Sequence, residues 1–388
     1  MSRYYSYINS AAAILSQYHG EEPFASFSKK YFAQHKKFGS RDRKQITHLC
    51  YCYFRLGKAL PEMAVSEKIL AGLFLCSHAP DSLLETVRPE WNEKVMLPLG
   101  DKLQLLSVSL NHVFPWADAL TDGIDGEQLS ASYFTQPGMF LRLRPGREAA
   151  VKGKLEKAGI GFSMITDHCM ALSNATSIDE VIQVNKEAVI QDMNSQRVGE
   201  LLVATGQTGT VRPVATWDCC AASGGKSIMA KDVLGNINLT VSDIRESILI
   251  NLKKRFAEAG ITNYKSFVAD ISKQENLPSS FFDIIIADVP CTGSGTWGRT
   301  PEQLYYFDTE KAEEYAALQK RIAGTAVTHL QNGGYFLYIT CSVFKKENEE
   351  AVDYLKEKFH LQLVKMEVLK GYDKKADTMF AALLQRPL

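Results

Sequence analysis

The sequence predicts an α/β fold. It is read as a doubly wound, mostly parallel sheet, preceded by a small α+β module and an all-helical N-terminal region. Three observations lead there. From about residue 201, short apolar runs of strand length alternate with segments of helical period, the pattern of a parallel sheet covered on both sides. Before about residue 125, apolar residues recur at spacings of three and four, and no alternation argues for a strand. Between the two, a short apolar run stops at Pro145-Gly146 and the texture changes. The expected domains are therefore 1–125, helical; 126–200, a small α+β module; and 201–388, the sheet domain.

In the first region, DRKQITHLCYCYFRLGKAL and SEKILAGLFLCSHA read as helices, with Ser40 placed to cap the first. Residues 29–44 hold seven Lys or Arg against one Asp, either a solvated helical face or a phosphate-contacting patch. In the second region, MFLRLRPG reads as a strand with outward arginines, and REAAVKGKLEKAGI as a helix ending at Gly159. ATSIDEVIQV and EAVIQDMNSQRVGELL supply another strand or two and a helix. In the third, ATWDCCAA, INLTVSDI, NYKSFVAD, FFDIIIADV, GGYFLYITCS and FAALLQR read as strands. The helices between them are SGGKSIMAKDVL, RESILINLKKRFAEAG with Gly260 past its end, KAEEYAALQKRIAGTAVTHL and ENEEAVDYLKEKF.

Composition narrows the class. The 388 residues carry 44 basic and 44 acidic side chains, so no global field draws the chain to nucleic acid, and contact must come from local patches. No apolar run approaches the length of a membrane span, and the first twenty residues lack an apolar signal core, so a cytoplasmic protein without membrane contact is expected. The eight cysteines show no C-x-x-C spacing and no neighbouring histidine pattern, so neither a disulfide framework nor a metal site is expected. Cys50 and Cys52, in an apolar helix, read as small buried hydrophobes.

In doubly wound sheets, ligands bind beyond the carboxyl ends of the strands. The polar residues gather at those ends. The first strand runs into Asp218, Cys219, Cys220, Ala221, Ala222, Ser223, Gly224, Gly225 and Lys226; later strands end at Asp243, Asp270, Asp288 with Cys291, and Thr340 with Cys341. Gly224-Gly225 lets a ligand approach the backbone, and the following helix offers free N–H groups. The order is neither GxGxxG nor GxxxxGK[ST], which disfavours both a dinucleotide fingerprint and a phosphate loop. Asp243 is placed to hold ribose hydroxyls and Asp270 to lie beside adenine, which fits an adenosine with a small charged tail such as S-adenosylmethionine. Taken singly, each aspartate is equally a helix cap or turn residue. Cys291 and Cys341 come from strands expected to be neighbours. A cation lowers a thiol's pKa and makes it nucleophilic; Lys226 is a candidate for that cation, against its ordinary reading as a surface lysine.

The set DCCAASGGKS, SDIRESILINLKKR, VADIS, DVPCTGSGTWGRTPE and TCSVFKKENEE resembles the RNA (cytosine-5)-methyltransferases of the Sun (Fmu) family, in the family's order and over residues 135–388. It is similar to the bacterial 16S ribosomal RNA members of that family. The helical N-terminus, with SRDRKQITHLCYCYFRLG, looks like their NusB-like RNA-binding domain. The resemblance implies a class I methyltransferase-like, Rossmann-like sheet and S-adenosylmethionine as cofactor, held by residues 220–226, Asp243, Asp270 and Asp288. It implies Cys341 as nucleophile and Cys291 as the thiol that helps release the product. Asp288, protonated or sharing a proton, is then expected to hydrogen-bond cytosine N3. The implied partner is RNA, ribosomal before transfer RNA, met by a monomer on an unstacked base. Trp297, Tyr305, Tyr306 and Phe307 are candidates to stack on that base, with core packing the likelier role for most.

Two departures from the family pattern stand out. Ser223 replaces the usual proline, which removes a rigid φ and adds a hydroxyl. ADTMFAALLQR replaces a glycine-containing Asp-Gly-Phe-Phe run, which puts the last hairpin in question. The expected basic patches are residues 29–44, 142–147 and 253–255. Two other readings stay open: the same fold with Cys291 as nucleophile, and a non-catalytic RNA-binding ribosome-assembly factor.

Overall fold

A computed structural model describes residues 3–174 and 176–388. The chain divides into two compact units. The first contains residues up to Leu120 together with Ile124–Gln136 and Thr296–Thr309; the second contains Thr121–Gly123, Pro137–Gly295 and Glu310–Leu388.

The first unit is helical. Its longest helices are Arg3–Leu15, Phe24–Gln34, Ser40–Phe54 and Val65–Cys76, packed through Ile14, Phe24, Leu49, Phe54 and Phe74. The cap of the third differs from the expectation. Gly39 is the N-cap and Ser40 is already in the helix, because Asp42 turns back to accept from the Gly39 N–H at 3.2 Å. Residues 296–309, from the long DVPCTGSGTWGRTPE stretch, belong to this unit. Trp297 is fully buried and packs with Phe114, Trp116 and Phe307, and the Glu302 carboxyl accepts from the Phe24 N–H. Tyr305 and Tyr306 hydrogen-bond to Tyr53 and to the Tyr18 carbonyl. These aromatics are core residues, and a break in the chain order at 296 and 309 is a feature that reading along the sequence does not expose.

The second unit carries two sheets. The smaller joins β1 (Met139–Leu143), β2 (Phe162–Met164), β3 (Cys169–Leu172) and β4 (Ala188–Ile190) in the order β2-β3-β1-β4, all antiparallel. The arginines of β1 are not outward, contrary to expectation. Alternation puts Arg142 and Arg144 on one face, but that face packs on the helix Gly225–Leu234, whose Asp232 binds both at 2.6 and 2.7 Å. Leu141 and Leu143 point the other way, onto Val151 and Leu155 of the helix Glu148–Lys157, so the strand is buried on both sides. Of ATSIDEVIQV, Ala175 lies outside the described residues, and residues 176–184 form turns and irregular backbone rather than a strand, with one bridge to β4 at Val184.

The larger sheet has β5 (Val214–Asp218), β6 (Ile237–Asp243), β7 (Tyr264–Val268), β8 (Phe282–Asp288), β9 (Leu330–Thr340), β10 (Gln362–Leu369) and β11 (Met379–Gln385), in the order β10-β11-β9-β8-β5-β6-β7. The five strands β7, β6, β5, β8 and β9 are parallel, and β11 and β10 close one edge antiparallel. The run IIIA in β8 is buried throughout, as a strand covered on both faces requires. The strand order reverses between β5 and β8, which opens a crevice at their carboxyl ends. The final hairpin forms despite the atypical ADTMFAALLQR. Ala381, Ala382, Leu383 and Leu384 are fully buried in the sheet, and burial of that apolar run does not depend on the family's glycine. β10, whose QLVKMEVL is largely exposed, was not evident in the sequence.

Among the described residues, no helix is long and apolar enough to cross a membrane, and no cluster of three or more His, Cys, Asp or Glu is arranged to hold a metal.

Candidate active site at the carboxyl rim of the sheet

Parallel pairing aligns the strand ends. Asp218 lies in register with Val241 and Ile286, Asp243 with Val268, and Asp288 with Ile339. Each strand then releases its loop at the same edge. A cleft of about 450 Å³ opens there, lined by Cys220, Ala222, Asp243, Asp270, Asp288 and Pro290, with Leu318 and Ile322 from the helix Thr309–Val327.

The loop after β5 is shaped by its backbone. Ala222 has φ +46° and its N–H donates to Asp243 Oδ2 at 3.0 Å. Gly224 has φ +84°, and a Cβ there would stand 2.6 Å from the Phe256 ring, so glycine is required twice over. Ala221, Ser223, Gly224 and Gly225 turn this loop and do not line the cleft. Ser223, in place of proline, is not loose: Arg255 donates to its Oγ at 2.7 Å and to its carbonyl at 3.1 Å. Arg255 is thereby committed, as are Arg142 and Arg144, so the patches expected at 142–147 and 253–255 are reduced to Arg147, Lys253 and Lys254 as exposed cations.

Asp243 also accepts from the Arg245 N–H at 3.0 Å, and its carboxyl is nearly buried. Asp270 accepts from Ser272 Oγ at 2.6 Å; that bond, then Lys273, holds its carboxyl below the usual range. Lys226, at the start of the helix Gly225–Leu234, turns to Asp288 at 3.2 Å and donates to Ser195 Oγ at 2.6 Å. Beneath this pair lies Asp218, fully buried. It accepts from Ser227 Oγ at 2.6 Å, its Oδ1 has no hydrogen-bond partner among the described residues, and burial pushes the carboxyl up to about 7. Asp218 differs from the other acids only in depth, which composition does not show.

The two rim thiols meet. Cys291 follows β8 by three residues and Cys341 follows β9 directly; their sulfurs are 3.3 Å apart. The bond to Cys341, then burial, pushes the Cys291 thiol up, and the charges of Cys341 and Glu347 add to it. Gly295 N–H donates to the Cys341 carbonyl at 2.8 Å and its own carbonyl accepts from Thr378 N–H at 2.9 Å; a Cβ on Gly295 would lie 1.9 Å from the Thr378 oxygen. The entry to β11 therefore crosses directly over the Cys341 loop.

Two further residues sit here that sequence reading did not single out. Glu347 is fully buried and accepts from Thr292 N–H at 2.9 Å, Thr292 Oγ1 at 2.6 Å, Gln319 Nε2 at 2.9 Å and Ser342 Oγ. Tyr315, half-buried one turn before Leu318 and Gln319 on the same helical face, has its hydroxyl pushed up by burial and then by Cys291 and Glu347. Glu347 lies in the TCSVFKKENEE stretch, where one acid among three carries no mark of its own. Spacing along the helix toward Gln319 is the only available signal for Tyr315.

All eight cysteines are free thiols. Of the residues proposed from sequence, the structure joins Cys291 with Cys341, Lys226 with Asp288, and Ala222 with Asp243, and sets Cys220, Asp270 and Asp288 on one cleft.

Residues 210–384 match the family model described as 16S rRNA methyltransferase RsmB/F. The ribosomal RNA small subunit methyltransferase B of Xanthomonas campestris is 25% identical over 228 residues, covering 55% of this chain and 49% of that protein. The chain spans about half the length of the curated relatives it matches. Among solved structures, PH0851 superposes over 97% of both chains with a TM-score of 0.70 at 19% identity. NSun6 from Pyrococcus horikoshii, solved with SFG, covers 71% of this chain and is covered to 96%, with a TM-score of 0.59 at 15% identity. The likenesses to these two solved structures show a shared fold.

Proposed function

We infer, from residues 210–384 matching the family model described as 16S rRNA methyltransferase RsmB/F, that the protein transfers a methyl group from S-adenosylmethionine to carbon 5 of cytosine in RNA, ribosomal RNA first. The observation that carries this reading is the 3.3 Å between the Cys291 and Cys341 sulfurs, one step beyond the Asp288–Pro290 wall of the cleft.

The cleft fits the cofactor. Its volume is within the range of roughly 300–1,000 Å³ usual for small-molecule sites. Asp243 and Asp270 supply acceptors for hydroxyl and amine donors, and Ala222, at positive φ, brings the loop backbone to the cleft wall. Bound there, S-adenosylmethionine supplies an electrophilic methyl group on a sulfonium.

Carbon 5 of cytosine is a weak nucleophile until a thiolate adds to carbon 6. The Cys341 sulfur forms that bond and turns the ring into an enamine, whose carbon 5 takes the methyl. Lys226 and Asp288 together offer a donor and an acceptor to the base edge, at N3 and the exocyclic amine, and stabilise the charge that develops on addition. The proton on carbon 5 must then leave and the carbon–sulfur bond must break, returning its electron pair to Cys341. Cys291 is suited to take that proton. Two of the causes that hold its own proton on, the hydrogen bond and the charge of Cys341, disappear once the Cys341 sulfur is bonded to carbon. Cys291 therefore stays a thiol in the free enzyme; in the adduct it gives up its own proton to water, and the thiolate that results accepts the carbon 5 proton as the carbon–sulfur bond breaks.

RNA would meet the helical unit at Lys29, Lys30, Lys36, Lys37, Arg41 and Lys44, all exposed; phosphate contact by such a patch weakens steeply with salt. Incubating the protein with labelled S-adenosylmethionine and unmodified ribosomal RNA should place label on cytosine carbon 5. Failure to label any ribosomal or transfer RNA would overturn the reading. An adduct with 5-fluorocytosine RNA that survives Cys341→Ala and is lost in Cys291→Ala would reverse the roles of the thiols.

A further inference from the structure

Glu347 has no access to solvent, lies on no wall of the cofactor cleft, and is the most heavily hydrogen-bonded side chain near the thiols. Its partners are not arbitrary. Thr292 immediately follows Cys291, and Ser342 immediately follows Cys341. One carboxyl thus accepts from the residue after each sulfur: Oε1 from the Thr292 N–H, and Oε2 from both the Thr292 and Ser342 hydroxyls. A second ring of bonds braces it. Gln319 donates to Glu347 Oε1 at 2.9 Å and to the Pro290 carbonyl, just before Cys291, at 3.0 Å. Tyr338 donates to the Glu347 carbonyl at 2.7 Å and to Gln319 Oε1 at 3.1 Å. Ser294 Oγ links the two loops again, 3.1 Å from Thr292 Oγ1 and 3.2 Å from Ser342 Oγ, and accepts from the Val343 N–H.

The two cysteines stand on different strands, fifty residues apart, at the start of irregular loops. Parallel pairing of β8 with β9 brings the loops to the same edge but does not set the distance between two side chains beyond it. A loop residue left to itself samples several ångströms, whereas catalysis needs its groups held to about half an ångström. Something must clasp the loops to each other, and the only acidic side chain that bonds both is Glu347 among the described residues. A buried carboxyl is costly unless its oxygens are hydrogen-bonded; here each oxygen takes two donors.

We propose that Glu347 is a positioning residue shared by the two rim thiols, a clasp that holds the Cys291 and Cys341 loops at the separation needed for addition at Cys341 and proton removal at Cys291. The clasp itself is a statement about geometry; its catalytic consequence rests on the methyltransferase reading above. Glu347 touches neither substrate nor cofactor, and acts through Thr292 and Ser342. It has a second consequence. Its charge is among the causes that keep the proton on Cys291, so one group both spaces the thiols and bears on the titration of one of them.

The test measures thiol separation without RNA or cofactor. Diamide oxidises two adjacent thiols to a disulfide: both sulfur–hydrogen bonds break, one sulfur–sulfur bond forms, and the N=N bond of the reagent takes up both hydrogens. In the full chain, the rate of Cys291–Cys341 crosslinking, read by peptide mass spectrometry, reports how often the sulfurs meet. Thr292→Val with Ser342→Ala removes both hydroxyl donors and leaves the charge in place; crosslinking should slow about fivefold. Glu347→Gln keeps the shape and removes the charge, while Glu347→Asp keeps the charge and shortens the reach by one methylene. If the clasp is real, the Asp variant crosslinks more slowly than wild type although its charge is intact, and kcat for methyl transfer falls about tenfold or more with KM for the cofactor unchanged. Should a Glu347 variant fail to fold, the Thr292→Val/Ser342→Ala protein decides alone. Wild-type crosslinking rates in that protein and in Glu347→Asp would overturn the proposal. Slowed crosslinking in a protein that methylates no RNA would uphold the clasp and remove the function assigned to it.

Discussion

Cys52 and Cys76 in the helical unit form a thiol pair that parallels Cys291 and Cys341 at the rim of the sheet. In each pair a hydrogen bond between the sulfurs pushes one thiol up: Cys52 in the first, Cys291 in the second. In the helical pair the other sulfur, Cys76, is moreover pulled below its ordinary value, by the bond to Cys52 and by the charges of Arg55 and Lys102. Judged by titration alone, Cys76 would be the better nucleophile. The surroundings reverse that judgement. Arg55 is spent on the carbonyls of Tyr133 and Gly298, and Lys102 on those of Phe74, Leu75 and Ser77, where it closes the end of the helix Val65–Cys76. Cys52 is buried among Leu49, Tyr53 and Phe54, with His48 at 3.6 Å. The rim pair stands instead on the loops that follow β8 and β9, next in sequence to the Asp288–Pro290 wall of the cleft, with Gln319 and Glu347 bonded to the residues beside the sulfurs. A lowered thiol pKa marks a cation nearby; it becomes chemistry only where the sulfur stands beside groups that can hold a substrate.

That contrast is most severely challenged by removing one sulfur from each pair. Cys341→Ala should lower methyl transfer by at least about 10³-fold, while Cys76→Ala leaves it within about twofold. Equal effects in a filter-binding methylation assay would show that the environment of the pair does not decide its role. Cys291→Ala sharpens the comparison inside the rim pair. Addition persists and release fails, so a covalent protein–RNA band should accumulate on denaturing gels in this variant and be absent from Cys341→Ala. Turnover should fall about 10²-fold or more.

Asp218 extends the comparison to the carboxyls. Its folded value of about 7 stands above an unfolded value of 3.8, so the folded state holds the proton longer. The proton-bound form is the one that folding favours, and stability drops as pH rises between about 4 and 7, by an amount on the order of 4 kcal/mol. Asp218→Asn cannot ionise, and lies near Asp288, Lys226 and Asp243, whose charges contribute to the shift. Its melting temperature should exceed that of the parent at about pH 8 by more than at about pH 5. An unchanged difference across that window would place the charge elsewhere. The smallest effect is expected at Cys50, wholly buried, its sulfur 3.8 Å from the Ala11 carbonyl. Cys50→Ala should cost about 1 kcal/mol in denaturant melts and leave methylation intact.

Much of this architecture is legible in the order of residues. The alternation of strand-length and helix-length segments gives the sheet, because a strand buried on both faces must be apolar throughout and a covering helix must repeat near 3.6. The polar clusters after β5, β6, β8 and β9 are legible as a rim for the same reason: a buried strand can carry such residues only where it ends. What escapes is whatever depends on partners far along the chain. The outward reading of Arg142 and Arg144 follows from β1 alone, and fails because Asp232, some ninety residues later, meets them. The edge strand β10 is exposed and polar enough to read as a loop. Residues 296–309 are contiguous with the Cys291 loop, yet their aromatic side chains complete the helical core.

The sequence by itself determined the kinds of chemistry present and the edge on which they gather, since the identity and order of strand-end residues are local properties. Only the tertiary structure decided which thiols face one another, which acid is deep enough to keep its proton, and which carboxyl hydrogen-bonds the loops after β8 and β9. Those are properties of distance and burial, and both arise when segments remote in the chain are packed against each other.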